Sequence, residues 1–304
     1  DKATGEISKR KTVEGFKPFE RLPWKKPVDD VAPYESESQL WNDIKHYLYE
    51  HIDLIKGYDV LTAWIFASWI PEKWHAVPYL FFYGPAGSGK TWALEVLASI
   101  GFRPLMSASA TLSTIFRVID VYRPTMFLDE TGVYIRKQRS EIMNLLNAGY
   151  RRDFPAMRSE DTKNGYVVKF YDCFGFKALA GTKAFVQTLK SRCIIFNMSK
   201  ATRKIETTID NEKANGLQRK LLMWRFKMLS KKEKLEAPEI LTGRLRELFN
   251  PLIMVAPAQA KNSIIAEAKK IEEITAEEEQ TSDEAMGFRA VYAIPKDNPK
   301  RKIT

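Results

Sequence analysis

The stretch Tyr79-Leu80-Phe81-Phe82-Tyr83-Gly84-Pro85-Ala86-Gly87-Ser88-Gly89-Lys90-Thr91 decides how the rest of the chain is read. Its first five residues are apolar or aromatic and read as a short buried strand. Gly84, Pro85, Ala86, Gly87, Ser88, Gly89, Lys90 and Thr91 then complete a G-x-x-x-x-G-K-[ST] loop. Trp92 to Leu97 follows as a helix opening. Strand, glycine loop and helix form the context in which this motif cradles phosphates. The glycines let backbone N–H groups turn inward, and the helix N-terminus adds its partial positive charge. The loop therefore predicts a bound nucleoside triphosphate, with Lys90 reaching the β- and γ-phosphates and the Thr91 hydroxyl ligating Mg²⁺.

Reading onward, Thr125 to Glu130 is an apolar run that ends in two acids, 39 residues beyond Lys90. A strand ending beside the phosphate loop would give these carboxylates separate tasks. Asp129 would hold the Mg²⁺ shell, and Glu130 would orient and deprotonate an attacking water. The next apolar strand, Phe176 to Ala180, leads into Gly181-Thr182. Thr182 would lie beside the γ-phosphate, although a Gly-Thr pair also serves as a plain turn cap. Ser191-Arg192-Cys193 then precedes the apolar run Cys193 to Phe196. Arg192 there could reach a neighbouring subunit's γ-phosphate, or could be a solvated basic residue.

Alternating strands and helices predict an α/β core with a parallel sheet covered on both faces. The expected organisation is an N-terminal arm over 1–35 and packing helices over 36–78. The α/β core would span 79–199, a helical lid 200–285 and a basic tail 286–304. Ser36 with Gln39 signals a capped helix start. Leu217, Leu221, Trp224 and Met228 repeat at helical spacing. Asn164-Gly165, flanked by Met157-Arg158 and the alternating Tyr166 to Phe170, predicts a β-hairpin inserted between the acid-tipped strand and the Thr182 strand.

Across 304 residues the formal net charge is +10, unevenly spread. Arg136 to Arg192 and Lys200 to Lys234 are each strongly basic, whereas Glu236 to Glu284 is acidic. A basic middle suits a polyanion such as nucleic acid, although solvated helix faces give the same signature. Cys173, Cys193, His46, His51 and His75 lack metal-ligand spacing. No apolar run has the length of a membrane span and no signal peptide opens the sequence, so a cytoplasmic location is expected.

Taken together, the phosphate loop, the acid-tipped strand, Thr182 and Ser191-Arg192-Cys193 resemble the AAA+ ATPases, a branch of the P-loop NTPases of the ASCE type. The Ser-Arg-Cys triplet is similar to the arginine-finger motif of clamp-loader subunits. The segments Asn147-Ala148-Gly149-Tyr150-Arg151-Arg152 and Leu179-Ala180-Gly181-Thr182 resemble ATPases of archaeal, bacterial and mobile-element genomes that often stand beside primase modules. The resemblance implies a P-loop core with a helical lid, ATP and Mg²⁺ as cofactors, and a homo-oligomeric, hexameric ring. It makes Thr182 a sensor-1 residue, where Asn is usual, and Arg219 a candidate sensor-2 residue among the ATP-binding groups.

The hairpin resembles the pre-sensor-1 hairpin of superfamily-3 and minichromosome-maintenance helicases. That likeness implies contact with single-stranded or forked DNA through Arg158, Lys163 and Lys169, with Tyr166 stacking on a base. A replicative helicase or translocase of a mobile element, working with a primase or other replication partner, is the leading expectation. The rivals are a loader or initiator switch that grips DNA without translocating, and a nucleotide-dependent scaffold.

Overall fold

The computed structural model describes residues 30–107, 112–129, 143–162, 165–183, 187–231 and 240–281. Glu130, Lys163, the arm before residue 30 and the basic tail lie outside the described residues. Helix α1 (Glu37–His51) starts where the Ser36 hydroxyl accepts from Gln39 N at 3.0 Å, satisfying one of the donors a helix start leaves free. Helix α2 (Tyr58–Ser68) is apolar almost all round and correspondingly buried. Pro71 then stops it and opens a single 3₁₀ turn, Pro71–Lys73.

A five-stranded parallel sheet follows, built from β1 (Tyr79–Tyr83), β2 (Pro104–Ser107), β3 (Thr125–Leu128), β6 (Lys177–Gly181) and β7 (Cys193–Asn197). Their order across the sheet is β2-β3-β6-β1-β7. Strand β6 is thereby wedged between β1 and β3, pairing Tyr83 with Gly181 on one side and Leu128 with Leu179 on the other. Helix α3 (Lys90–Ile100), α4 (Leu112–Tyr122), the helical residues 143–148 (α5) and the short α6 (Gln187–Lys190) form the crossovers. Strands β4 (Ala156–Thr162) and β5 (Gly165–Tyr171) make a separate antiparallel hairpin between α5 and β6. Helices α7 (Asn211–Ser230), α8 (Gly243–Val255) and α9 (Ala258–Thr281) complete the described chain.

Two apolar clusters cover the two sheet faces. One joins Ile115, Phe116 and Ile119 of α4 with Leu145, Leu146, Tyr79, Phe81 and Leu179. The other is larger and unites α1, α2 and α3 with α7, α8 and α9 over Leu80, Phe82, Ala178 and Ala180. Phe66 of α2 stacks on Trp41 of α1 and meets Trp224 of α7 edge-on, with centroids 5.4 and 4.9 Å apart. Trp64 reaches the sheet itself, edge-on to Phe127 and Phe176, while its indole N–H donates to Pro78 O. The helices before the phosphate loop and those after the sheet thus share one core. Among the described residues no helix is long and apolar enough to cross a membrane.

Candidate functional site

The glycine loop over 84–91 is held at its start by the sheet. Gly84 N donates to Gly181 O, and Met198 N, one residue past β7, donates to Tyr83 O. A Cβ at Gly84 would meet Met198 O at 2.3 Å, so this position admits no side chain without moving backbone. Gly87 and Gly89 are glycine for another reason. Their φ values of +75° and +81° lie in the left-handed region, and nothing lies within 4 Å of where a Cβ would stand. The loop therefore turns its backbone past an open space, and α3 begins immediately at Lys90. Lys90 is buried, and its Nζ curls back into the loop to donate to Pro85 O at 2.6 Å and Ser88 Oγ at 3.4 Å.

Beside Lys90, the Thr91 hydroxyl donates to Asp129 Oδ2 at 2.7 Å. Asp129 directly follows β3, two strands away from β1, so the hydrogen bond spans the mouth between the loop and the acid-tipped strand. A hydroxyl and a carboxylate side by side are hard oxygen donors, and Mg²⁺ is commonly held by few protein groups plus substrate phosphates. With the glycine cradle and the Lys90 ammonium, these residues fit a Mg²⁺-bound triphosphate. Among the described residues no group of three His, Cys, Asp or Glu side chains gathers to hold a metal by itself. Thr182 is exposed and stands one residue past Gly181, the residue whose carbonyl binds Gly84 N. Lys90, Thr91, Asp129 and Thr182 consequently converge at the C-terminal ends of three adjacent strands. That is where open α/β sheets bind ligands.

Arg192 lies at the other end. Its carbonyl accepts from Tyr79 N at the start of β1. The five residues of β1 at about 3.3 Å each put roughly 16 Å of sheet between Arg192 and its own phosphate loop. There the Arg192 guanidinium lies over the ring of Tyr150 at 4.7 Å, with Arg244 of α8 at 5.4 Å and Arg151 at 5.8 Å from the same ring. Arg151 pairs with Glu247, and Arg244 Nη1 donates to Ser191 Oγ at 3.3 Å. Burial, and then the charge of Arg244, pull the Arg192 pKa below the ordinary arginine value.

Arg219 is exposed on α7, and the neighbouring Gln218 bonds Ser99 O. Ser99 is nine residues beyond Lys90 on α3, about 13 Å of helix rise away. What Arg219 does is accept from Ala32 N through its carbonyl. The hairpin sets Arg158 and Lys169 on one face and Tyr166 on the other. Arg158 stands opposite Lys169, on the face whose base Tyr171 packs near Phe116. Its guanidinium lies over the buried Phe116 ring at 4.2 Å. Tyr166, Val168 and Phe170 alternate onto the opposite face with Met157, at 80%, 54%, 63% and 68% exposure. The large exposed side chains of that face are thus apolar and aromatic.

Lys177 escaped the sequence reading. It is almost wholly enclosed at the start of β6, and its Nζ donates to Cys173 O at 2.9 Å, Gly175 O at 3.0 Å and Gly149 O at 3.4 Å. Burial lowers its pKa to about 8. A lone lysine within Phe176-Lys177-Ala178-Leu179-Ala180 was the visible signal. Its ammonium ties the hairpin's exit to Gly149, the residue before Tyr150.

No family model matches this chain, and no curated protein matches it. Among solved structures, one match is the A form apo structure of the NrS-1 C terminal region (CTR). It is 14% identical with a TM-score of 0.40, and the match covers 80% of this chain and 54% of that one. This chain spans about half the length of that structure. The α/β architecture and its parallel sheet rest on the strand pairing itself.

Proposed function

We propose that this chain is an ATP-hydrolysing P-loop ATPase of the AAA+ type that works as a homo-oligomeric ring on DNA. The observation that carries this reading is the Thr91–Asp129 hydrogen bond, made across a sheet in which the Thr182 strand is wedged between the loop strand and the acid-tipped strand. In this reading Lys90 and the N–H groups of Gly84 to Thr91 bind the phosphates. Thr91 and Asp129 hold Mg²⁺, which offsets charge on the phosphate oxygens. Glu130 takes a proton from the attacking water, and Thr182 orients that water. Arg192 serves a neighbour's nucleotide, because roughly 16 Å of its own sheet separates it from its own loop. The DNA assignment draws on the basic middle of the chain and on the exposed Tyr166 and Phe170.

ATPase assays beside nucleotide-binding isotherms test the core of the proposal. Glu130→Gln should bind ATP and lose turnover, and Lys90→Ala should lose both; wild-type turnover in either variant would overturn it. A loader or initiator switch is the second reading. It is favoured by the engagement of Arg158 with Phe116, which removes one of the cations a translocating hairpin would place on the DNA backbone. Unwinding of a forked duplex by the wild-type chain decides between the two.

A further inference from the structure

Three guanidiniums, from Arg151 after α5, Arg192 before β7 and Arg244 on α8, meet around one phenol ring. They come from three separate parts of the chain, so their meeting is a property of the fold. Like charges this close repel, and inside a partly buried surface the repulsion is poorly screened. Arg151 is offset by Glu247, with which it pairs. Arg244 has a different environment: it donates to the neutral Ser191 hydroxyl, and its charge bears directly on Arg192. The Tyr150 ring, buried itself, gives flat guanidinium groups a surface that fixes their planes without neutralising them. Arg244 is exposed, so the cluster opens outward. A planar, outward-facing guanidinium such as that of Arg244 suits the forked oxygens of a phosphate.

We infer that Arg244 is a second phosphate-binding cation, acting with Arg192 across a subunit interface on the phosphate chain of a nucleotide held by a second copy of this chain. The inference rests on the proposed ATPase reading and extends it by a residue from α8. The nucleotide must belong to another copy, because the cluster sits at the end of the sheet opposite its own Lys90. Arg244 also bonds Ser191, next to Arg192, so α8 and the Arg192 turn would approach that phosphate as one unit. A contact of this kind couples nucleotide binding in one subunit to the position of α8 in the next.

The test uses the full chain and the variants Arg244→Gln, Arg244→Lys, Arg192→Ala, Glu130→Gln and Lys90→Ala. Binding of a fluorescent ATP analogue is measured at high dilution, assembly by sedimentation velocity with ATPγS, and ATPase at assembling concentrations. Arg244→Gln should keep the dilute-state affinity within about twofold, lose nucleotide-induced assembly and lower turnover at least about tenfold, one lost transition-state donor being worth that much or more. Arg244→Lys, which keeps the charge but not the fork, should fall between. Glu130→Gln subunits mixed with Arg244→Gln subunits should recover part of the turnover. Assembly and turnover at wild-type levels in Arg244→Gln would overturn the inference. So would a loss of analogue binding at high dilution, which would mean Arg244 serves its own subunit. Lost oligonucleotide binding with intact ATPase would also overturn it and reassign the cluster to nucleic acid. Should Arg192→Ala behave as a trans-acting variant while Arg244→Gln does not, only this inference fails. Should Lys90→Ala leave ATP binding untouched, the underlying ATPase reading fails instead.

Discussion

Thr91 Oγ1 donates to Asp129 Oδ2 at 2.7 Å, joining the last residue of the phosphate loop to the tip of a strand that is not its neighbour. If this pair is the protein's share of a Mg²⁺ site, Thr91→Val and Asp129→Asn should raise the Mg²⁺ concentration needed for half-maximal ATPase by at least about tenfold. Thermal stability should change by less than about 2 kcal/mol, the scale of one hydrogen bond to a charged group. Magnesium titrations of turnover check this, and an unchanged Mg²⁺ requirement in both variants would remove the pair from the metal site.

Gly84 is a packing glycine. Because an added Cβ would meet Met198 O at 2.3 Å, Gly84→Ala must part the loop from the end of β7. Overpacking of this sort costs about 1–3 kcal/mol. At Gly87 a Cβ meets nothing, and the cost of alanine is the left-handed backbone alone, about 1–2 kcal/mol. Denaturant melts should show loosening in both. Limited proteolysis around Met198 should be faster in Gly84→Ala and unchanged in Gly87→Ala.

The trans placement of Arg192 gives a complementation experiment. Arg192→Ala subunits carry an intact phosphate loop, and Glu130→Gln subunits carry an intact arginine. Each alone should hydrolyse poorly while binding ATP normally. Mixed in equal amounts they should form some complete sites and regain turnover. A mixture as inactive as its parts would place Arg192 within its own subunit's chemistry, against the length of sheet that separates them.

Lys177 makes stability depend on pH. Its pKa falls from an ordinary lysine value of 10.5 to about 8 in the folded chain, chiefly through burial. Between those values the unfolded chain binds the additional proton, so this group's contribution favours folding increasingly as pH rises. From pH 8 to 9 the wild type should gain on the order of 1 kcal/mol relative to Lys177→Met. Comparing the two proteins cancels most of the opposite effect of Cys173, whose thiol is pushed up to about 11 by burial and which therefore costs stability above its ordinary value. At pH 7 the variant should still be less stable, by about 1–3 kcal/mol, because the carbonyls of Gly149, Cys173 and Gly175 lose their donor. Parallel urea curves for the two proteins across this pH range would refute the assignment.

Much of this was legible in the residues. Tyr79 to Thr91 and Pro104 to Ser107 announce themselves as apolar runs beside glycine or proline signals, and Cys193 to Phe196 as a short run of β-branched and aromatic residues between polar flanks. That the glycine loop and Asp129 would meet was legible as well, and the Thr91–Asp129 hydrogen bond joins them. Strand order was not, since nothing local says that Leu179 pairs with Leu128 and Ala178 with Leu80. Nor was the cluster around Tyr150: Arg244 is 94 residues from Tyr150, and only the packing of α8 brings them together. Nor was the place of Arg219, because helical spacing says which face of α7 is buried and nothing about which end of α3 it meets. The hairpin was read correctly as a hairpin. Its faces were not, because in Tyr166-Val167-Val168-Lys169-Phe170 both sides of the alternation carry large side chains.

That separation of faces changes what the hairpin should do. Arg158 is committed to Phe116, and Lys169 shares its side of the ribbon. Tyr166 and Phe170 project together from the other side, four residues or about 13 Å apart, with Val168 between them. If the hairpin engages single strands, it does so mainly by stacking bases on these rings. Tyr166→Ala with Phe170→Ala should then weaken oligonucleotide binding by about 2–6 kcal/mol, at about 1–3 kcal/mol per stacked base. The slope of affinity against salt should hardly move, because no phosphate contact is lost. Lys169→Ala should reduce that slope by about 0.7 if it touches one phosphate, with a smaller loss of affinity. Salt titrations of fluorescent oligonucleotide binding separate the outcomes, and basal ATPase should persist in both variants because the phosphate loop is untouched. Unchanged binding in the aromatic double variant would show that the exposed face serves something other than DNA.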